Sequence, residues 1–158
     1  MIDPRLACVV GTLLLAGAGS VHAEEQTLEF RLVTQPVGAP TMLPAIGGHQ
    51  ITAGRYMGVA VFADGRIAHK SFVDVSDDTT EAGTFKGYST YTFQNGDSLT
   101  LAYTGGWDAK GASGEYQMIS GTGAYEGATG TGWFKGAEEP WDEAYLFEGA
   151  IKLVLATQ

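Results

Sequence analysis

From residue 27 onward the chain alternates. Leu28, Phe30 and Leu32 fall on one side of residues 27–34, and Glu29, Arg31 and Val33 on the other. That period of two marks a half-buried strand. Residues 54–63 and 66–75 are joined by Asp64-Gly65, a two-residue hairpin signal. This loop sets Phe62 opposite Ile67, Ala60 opposite His69, Gly58 opposite Ser71 and Tyr56 opposite Val73. The other face pairs Arg55 with Asp74, Met57 with Phe72 and Val59 with Lys70. Cross-strand partners share a face, and the face carrying Arg55, Asp74 and Lys70 is expected outside. Tyr56, Phe62, Ile67 and His69 are then expected to point in.

Residues 84–94 and 98–106 form a second hairpin. Here a three-residue loop, Gln94-Asn95-Gly96 with Gly96 left-handed, sorts the residues better than a two-residue one. It puts Tyr91 opposite Leu99 and Ser89 opposite Leu101. Phe85, Tyr91, Phe93, Leu99, Leu101 and Tyr103 then share one face, and register follows the apolar pattern where one face is buried. In residues 115–120, Tyr116 and Met118 point in while Glu115 and Gln117 point out. In the last strand Tyr145, Phe147, Ile151, Leu153 and Leu155 share a face, with Glu148 and Lys152 on the other. The whole reads as all-β: a single antiparallel, eight-stranded, up-and-down β-barrel, with no helical periodicity. Residues 35–52, rich in proline and glycine, read as a long loop forming a flap near one mouth or a plain surface loop. Asp77 to Glu81 reads as a solvated acidic turn rather than a calcium loop.

One stretch, residues 115–136, is dense in glycine. Gly121-Thr-Gly123-Ala-Tyr125-Glu-Gly127-Ala-Thr-Gly130 stands between two strand-like runs. Gly121, Gly123, Gly127 and Gly130 are expected to build a structural turn, since glycine admits left-handed backbone and close approach. This strand–Gly-x-Gly-x-Tyr-x-Gly-x-x-Gly–strand pattern resembles the allene oxide cyclase barrel family and the related dirigent proteins. A looser likeness runs over residues 53–153. The resemblance implies a barrel with a cavity, confinement of a reactive chain so that it cyclises in one shape, and a trimer. The cyclases are associated with an inward glutamate on the first strand. Here Leu28, Phe30 and Leu32 take the inward positions and Glu29 faces out, so the chain departs from that pattern.

Residues 1–23 read as a secretory signal, with Arg5, an apolar run over residues 6–18, and Val21-His22-Ala23 as cleavage site. The mature domain is then residues 24–158, beginning at Glu24 and located outside the cytoplasm, secreted or periplasmic. The only cysteine, Cys8, lies in the signal, so the mature part holds no disulfide and no thiolate metal site. The net charge of −9 argues against nucleic acid and anionic membrane surfaces as partners.

No phosphate-binding loop or Gly-x-Ser-x-Gly elbow occurs, and neither a cofactor nor a metal is expected. With nearly every Asp and Glu assigned outside, paired carboxylates for acid–base work are not expected either. The pocket is expected to consist of Tyr56, Phe62, Ile67, Tyr91, Tyr103, Tyr116 and Phe147. His69 is its candidate catalytic group, or else a core histidine. Three functions stay open: a cyclase or isomerase orienting a polyene-like substrate, a carrier of an apolar small molecule, and a packed structural barrel. Met57 and Phe72, as outer neighbours, mark an expected homo-oligomer contact.

Overall fold

The first strand pairs on both sides, and that closes the sheet. β1 (Glu25–Pro36) pairs with β9 (Tyr145–Val154) along one edge and with β3 (Gln50–Phe62) along the other. Between them run β4 (Ile67–Asp78), β5 (Gly83–Phe93), β6 (Ser98–Asp108), β7 (Gly111–Thr122) and β8 (Thr129–Gly136), each antiparallel to its neighbours. The computed structural model describes residues 23–137 and 144–157. The expected signal up to His22 and the loop at 138–143, with Trp141, lie outside the described residues. A two-residue strand, β2 (Thr41–Met42), adds to β3 beyond the barrel wall.

Leu28, Phe30 and Leu32 are buried and Glu29 and Arg31 exposed, as their alternation predicts. At the end where β3 turns into β4 and β5 into β6, the interior is solid. Phe30, Phe62, Tyr91 and Phe93 interlock there, with neighbouring ring centroids 5.2–6.1 Å apart. Arg66 caps this end. Its guanidinium lies 5.2 Å from the centre of the Phe93 ring and donates to the Tyr125 hydroxyl.

The β5–β6 hairpin has the expected register, with Tyr91 facing Leu99 and Ser89 facing Leu101. The β3–β4 hairpin does not. Its loop is three residues, Ala63-Asp64-Gly65, with Gly65 at φ +87°. Phe62 N–H donates to the Arg66 carbonyl at 2.9 Å, and Gly65 N–H to the Phe62 carbonyl at 3.0 Å. Asp64 fixes the turn by accepting from the Arg66 backbone N–H at 3.0 Å and from its Nε at 2.8 Å. Register moves by one residue: Val61 faces Ile67, Val59 faces His69, Gly58 faces Lys70 and Tyr56 faces Phe72. A one-residue slip reverses every side chain of a strand. Ile67, His69 and Val73 therefore face out, and Lys70, Phe72 and Asp74 face in.

Residues 37–49 stand at the open end, where Pro36 pairs with Tyr56 and Gln50 with Asp78. They fold back along β3 through β2 and an Ile46–His49 bridge. Met42, Leu43 and Ile46 are exposed on this extension.

The glycine-dense stretch does what its composition predicts, by two different means. Gly123 and Gly127 take left-handed backbone, at φ +60° and +71°. Gly121 and Gly130 permit close approach instead: a Cβ would stand 2.3 Å from the Tyr125 carbonyl oxygen and 2.3 Å from that of Lys152. At Gly65 nothing lies within 4 Å of such a Cβ, so only the positive φ penalises a side chain. Gly65→Ala is expected to cost about 1 kcal/mol. Gly130→Ala, which must push β8 away from β9, is expected to cost about 3 kcal/mol. Urea unfolding midpoints of the two variants check the order.

Candidate functional site

β4 carries an unusual inward face. Ala68, Lys70, Phe72, Asp74, Ser76 and Asp78 project into the barrel in that order, from the packed end to the open one. Their Cα atoms are about 6.6 Å apart, two residues per step. Ala68 and its partner Ala60 are small and fully buried, which leaves room for the aromatic floor. Above that floor the barrel opens into a cavity of about 810 Å³, bordered by Lys70, Phe72, Asp74, Tyr56, Tyr103 and Tyr116 among others.

Lys70 sits low in this cavity and is only 4 % exposed. Its Nζ donates to the Tyr116 hydroxyl at 2.6 Å, and the Tyr91 and Tyr116 hydroxyls are 3.3 Å apart. Four rings surround the amine: the centroids of Phe72, Tyr91 and Tyr116 lie 4.8, 4.9 and 5.0 Å from Nζ, and that of Tyr103 lies 6.0 Å away. Ring faces attract a cation, but they replace only a fraction of the hydration an ammonium loses. Burial lowers the Lys70 pKa to about 7. Burial also raises the pKa of Tyr91 and Tyr116, so both hydroxyls keep their protons.

Nearer the mouth the polar groups are acidic. The Tyr103 hydroxyl lies 2.8 Å from the Val73 carbonyl oxygen and 3.0 Å from Asp74 Oδ1. Gly87 makes that reach possible, because a Cβ there would stand 2.6 Å from the Tyr103 hydroxyl oxygen. Burial raises the Asp74 pKa above the usual carboxylate range. The Tyr103 hydrogen bond opposes this, and the charge of Asp78 adds to it. Asp78 accepts from the Trp107 indole N–H at 2.7 Å and from the Ser76 hydroxyl. Tyr56 stacks on Phe72, their centroids 4.8 Å apart and their planes 8° from parallel. Thr34 Oγ1, also on the cavity wall, is buried with no partner among the described residues.

Of the residues expected at the pocket, Tyr56, Tyr103, Tyr116 and Phe147 line it. Tyr91 and Phe62 are buried in the floor beneath. Ile67 and His69 are not in the cavity; they lie exposed on the outer wall because of the β4 register. The same shift corrects two further expectations. Phe72, expected outside beside Met57, is an inner wall residue, and the interior expected to lack carboxylates contains Asp74 and Asp78. Sequence reasoning misses Lys70 and Asp74 because it reads Asp64-Gly65 as a two-residue loop, which pairs Lys70 with Val59 and Asp74 with Arg55 on the outer face. The signal that finds them is the likeness of the two turns. Phe62-Ala-Asp-Gly and Phe93-Gln-Asn-Gly share one pattern and take the same three-residue loop.

The buried amine gives a pH dependence with a definite sign. The lysine pKa is lower folded than unfolded, so the unfolded chain binds more protons between about pH 7 and the ordinary value near 10. Stability should rise with pH across that window, by up to about 1.4 kcal/mol per pH unit from this group. Above about pH 10 the buried tyrosines reverse the trend, since the unfolded chain then loses phenolic protons that the folded one retains. Denaturant titrations from pH 7 to 9.5 check this; in Lys70→Met the rise should disappear.

No protein-family model matches the chain, and no curated protein matches its sequence. Solved structures do match. The pterocarpan synthase dirigent protein GePTS1 superposes with a TM-score of 0.61 at 15% identity, over 96% of this chain and 100% of that one. A second pterocarpan synthase dirigent protein, PsPTS1, gives 0.60 at 12% identity, over 85% and 97%. A protein of unknown function from the DUF3224 family of Shewanella oneidensis MR-1 gives 0.54 at 16% identity, over 86% and 100%. At these identities the likeness is one of fold, and the chain has the barrel fold of these dirigent proteins.

Proposed function

We propose that this protein binds a small molecule with an apolar, conjugated body inside the barrel and orients it for an isomerisation or ring closure. The observation that carries the reading is the cavity itself: aromatic walls with a few convergent polar groups are the usual make-up of a small-molecule site. Tyr56 and Phe72 offer flat faces to a planar body. Asp74, with its raised pKa and its tyrosine partner, is the acid–base group for a hydroxyl or ether oxygen held near the mouth. Confinement supplies the rest, since a held near-attack shape lowers the barrier without charged groups. Two proteins of the same fold are named pterocarpan synthases, which favours chemistry on a small organic molecule. The reading includes export to the periplasm or cell exterior, after cleavage before Glu24.

The alternative is a carrier that uses the same cavity only for shape. The neutral fluorophore N-phenyl-1-naphthylamine should bind the folded protein. Tyr56→Ala should weaken its binding severalfold without lowering the melting temperature, while Tyr88→Ala, on the outer wall, should leave it unchanged. Equal affinities in all three proteins would overturn the cavity reading. Asp74→Asn separates the two functions. Solvent extraction of the native protein, followed by mass spectrometry, should give the same bound compound from wild type and variant if the barrel is a carrier. It should give an unreacted isomer from the variant if Asp74 does chemistry.

We also infer self-association through the outer wall of β3 and β4. Val59, Val61 and Ile67 are each 39–50% exposed there, with Val61 directly opposite Ile67, and a contiguous apolar patch marks an interface. Sedimentation velocity should show an oligomer that Val61→Glu dissociates; a wild-type monomer at micromolar concentration would count against it.

A further inference from the structure

Lys70 is more than a wall residue. Its amine lines the cavity, is almost completely buried, and forms no ion pair among the described residues. Asp74, the nearest inward acid on its own strand, is four residues away, about 13 Å along the chain. The groups facing Nζ from β5, β6 and β7 are the phenols of Tyr91, Tyr103 and Tyr116, whose pKa values burial raises. A structural lysine would have little reason to be here. Methionine would fill the same space without the desolvation penalty.

We propose that Lys70 is the nucleophile of a covalent site, condensing reversibly with the carbonyl carbon of an apolar aldehyde or ketone held in the cavity. This rests on the reading of the cavity as a ligand site and goes beyond it. The Nζ lone pair attacks the carbonyl carbon and forms a C–N bond, while the C=O π pair moves to oxygen. Oxygen gains a proton and nitrogen loses one, giving a carbinolamine. Loss of that hydroxyl as water, with the second nitrogen proton, leaves a C=N bond. One water is released, and no oxidant or reductant is consumed. The Tyr116 hydroxyl, 2.6 Å from Nζ, is placed to pass these protons, with Tyr91 behind it. The lowered pKa supports the assignment, because an amine must be unprotonated to attack. Aromatic walls around Nζ favour carbonyls conjugated to a ring or polyene.

The test uses the full chain, cinnamaldehyde as the carbonyl probe and sodium cyanoborohydride to reduce any imine to a stable amine. Intact mass should show one reduced cinnamyl group, and peptide mapping should place it on Lys70. Labelling of Lys70 should be at least about tenfold faster at neutral pH than of Lys86, Lys135 and Lys152, which are exposed on the outer wall. Lys70→Met should lose the fast adduct. Should that variant misfold, the wild type alone decides, because the pH profile of fast labelling should have its midpoint near 7 rather than near 10. Slow labelling spread over the surface lysines would overturn the proposal. N-phenyl-1-naphthylamine separates the two failures. If it binds but no adduct forms, only the covalent site is refuted; if neither binds, the cavity reading falls as well.

Discussion

Closure of the sheet is the constraint from which the rest follows. With β1 paired to both β3 and β9, the sheet closes on itself, and the interior width is set by strand number rather than by packing. Eight strands leave a lumen that side chains can just fill. This chain fills one half and leaves the other hollow. At the packed end large rings meet across the axis, and they fit because Ala60 and Ala68 yield the wall space around them. At the open end the inward residues of β4 are short and polar, and Gly87 draws the Tyr103 side chain flat against the wall. The cavity is thus written into residue size along each strand, not added by a loop.

Inside that frame the polar groups are graded. Near the floor stands an amine in an aromatic cage; near the mouth stand carboxylates held by a phenol, an indole and a hydroxyl. The separation matters chemically. Were Lys70 and Asp74 in contact, each would stabilise the charged form of the other, and neither would transfer protons readily near neutral pH. Kept apart by the stacked Tyr56–Phe72 pair, both are driven toward their neutral forms by burial. A molecule lying along the barrel axis would meet a nucleophile at one end and an acid at the other.

Much of this is legible in the sequence, and what is not has a single cause. Alternation alone gives β1, β5, β6 and β9 with the correct faces, because most of their large apolar residues point inward and all their charged ones outward. Tyr91, Tyr103 and Tyr116 belong inside on that basis, and they are inside. β4 defeats the rule because its apolar and polar faces are inverted: Ile67, Val73 and Val75 face out, while Lys70, Asp74, Ser76 and Asp78 face in. Reading Asp64-Gly65 as a two-residue loop, with the charged face outside, therefore moves His69 into the pocket. The turn residues alone do not decide the loop length. Asp-Gly preceded by one loop residue and followed by a side chain that Asp64 can grip closes a three-residue loop as readily as a two-residue one.

The inversion of β4 is itself informative, because it opposes the energy of an isolated barrel. Burying an amine and two carboxylates while leaving valines in water is unfavourable on both faces. A fold retains such a strand when each face has a further partner. The inner face has one in any molecule with polar groups at both ends and an apolar middle, which would satisfy Thr34 Oγ1 and the carboxylates while covering Tyr56 and Phe72. The outer face has one in any surface that covers Val59, Val61 and Ile67, such as a second copy of the same wall. The two needs sit on one strand, with the side chains of Ile67 and Lys70 three residues apart and on opposite faces. Occupancy of the cavity and burial of the outer wall would then bear on the same backbone, and the β3–β4 hairpin, gripped by Asp64 and Arg66, is the element that holds both faces in register.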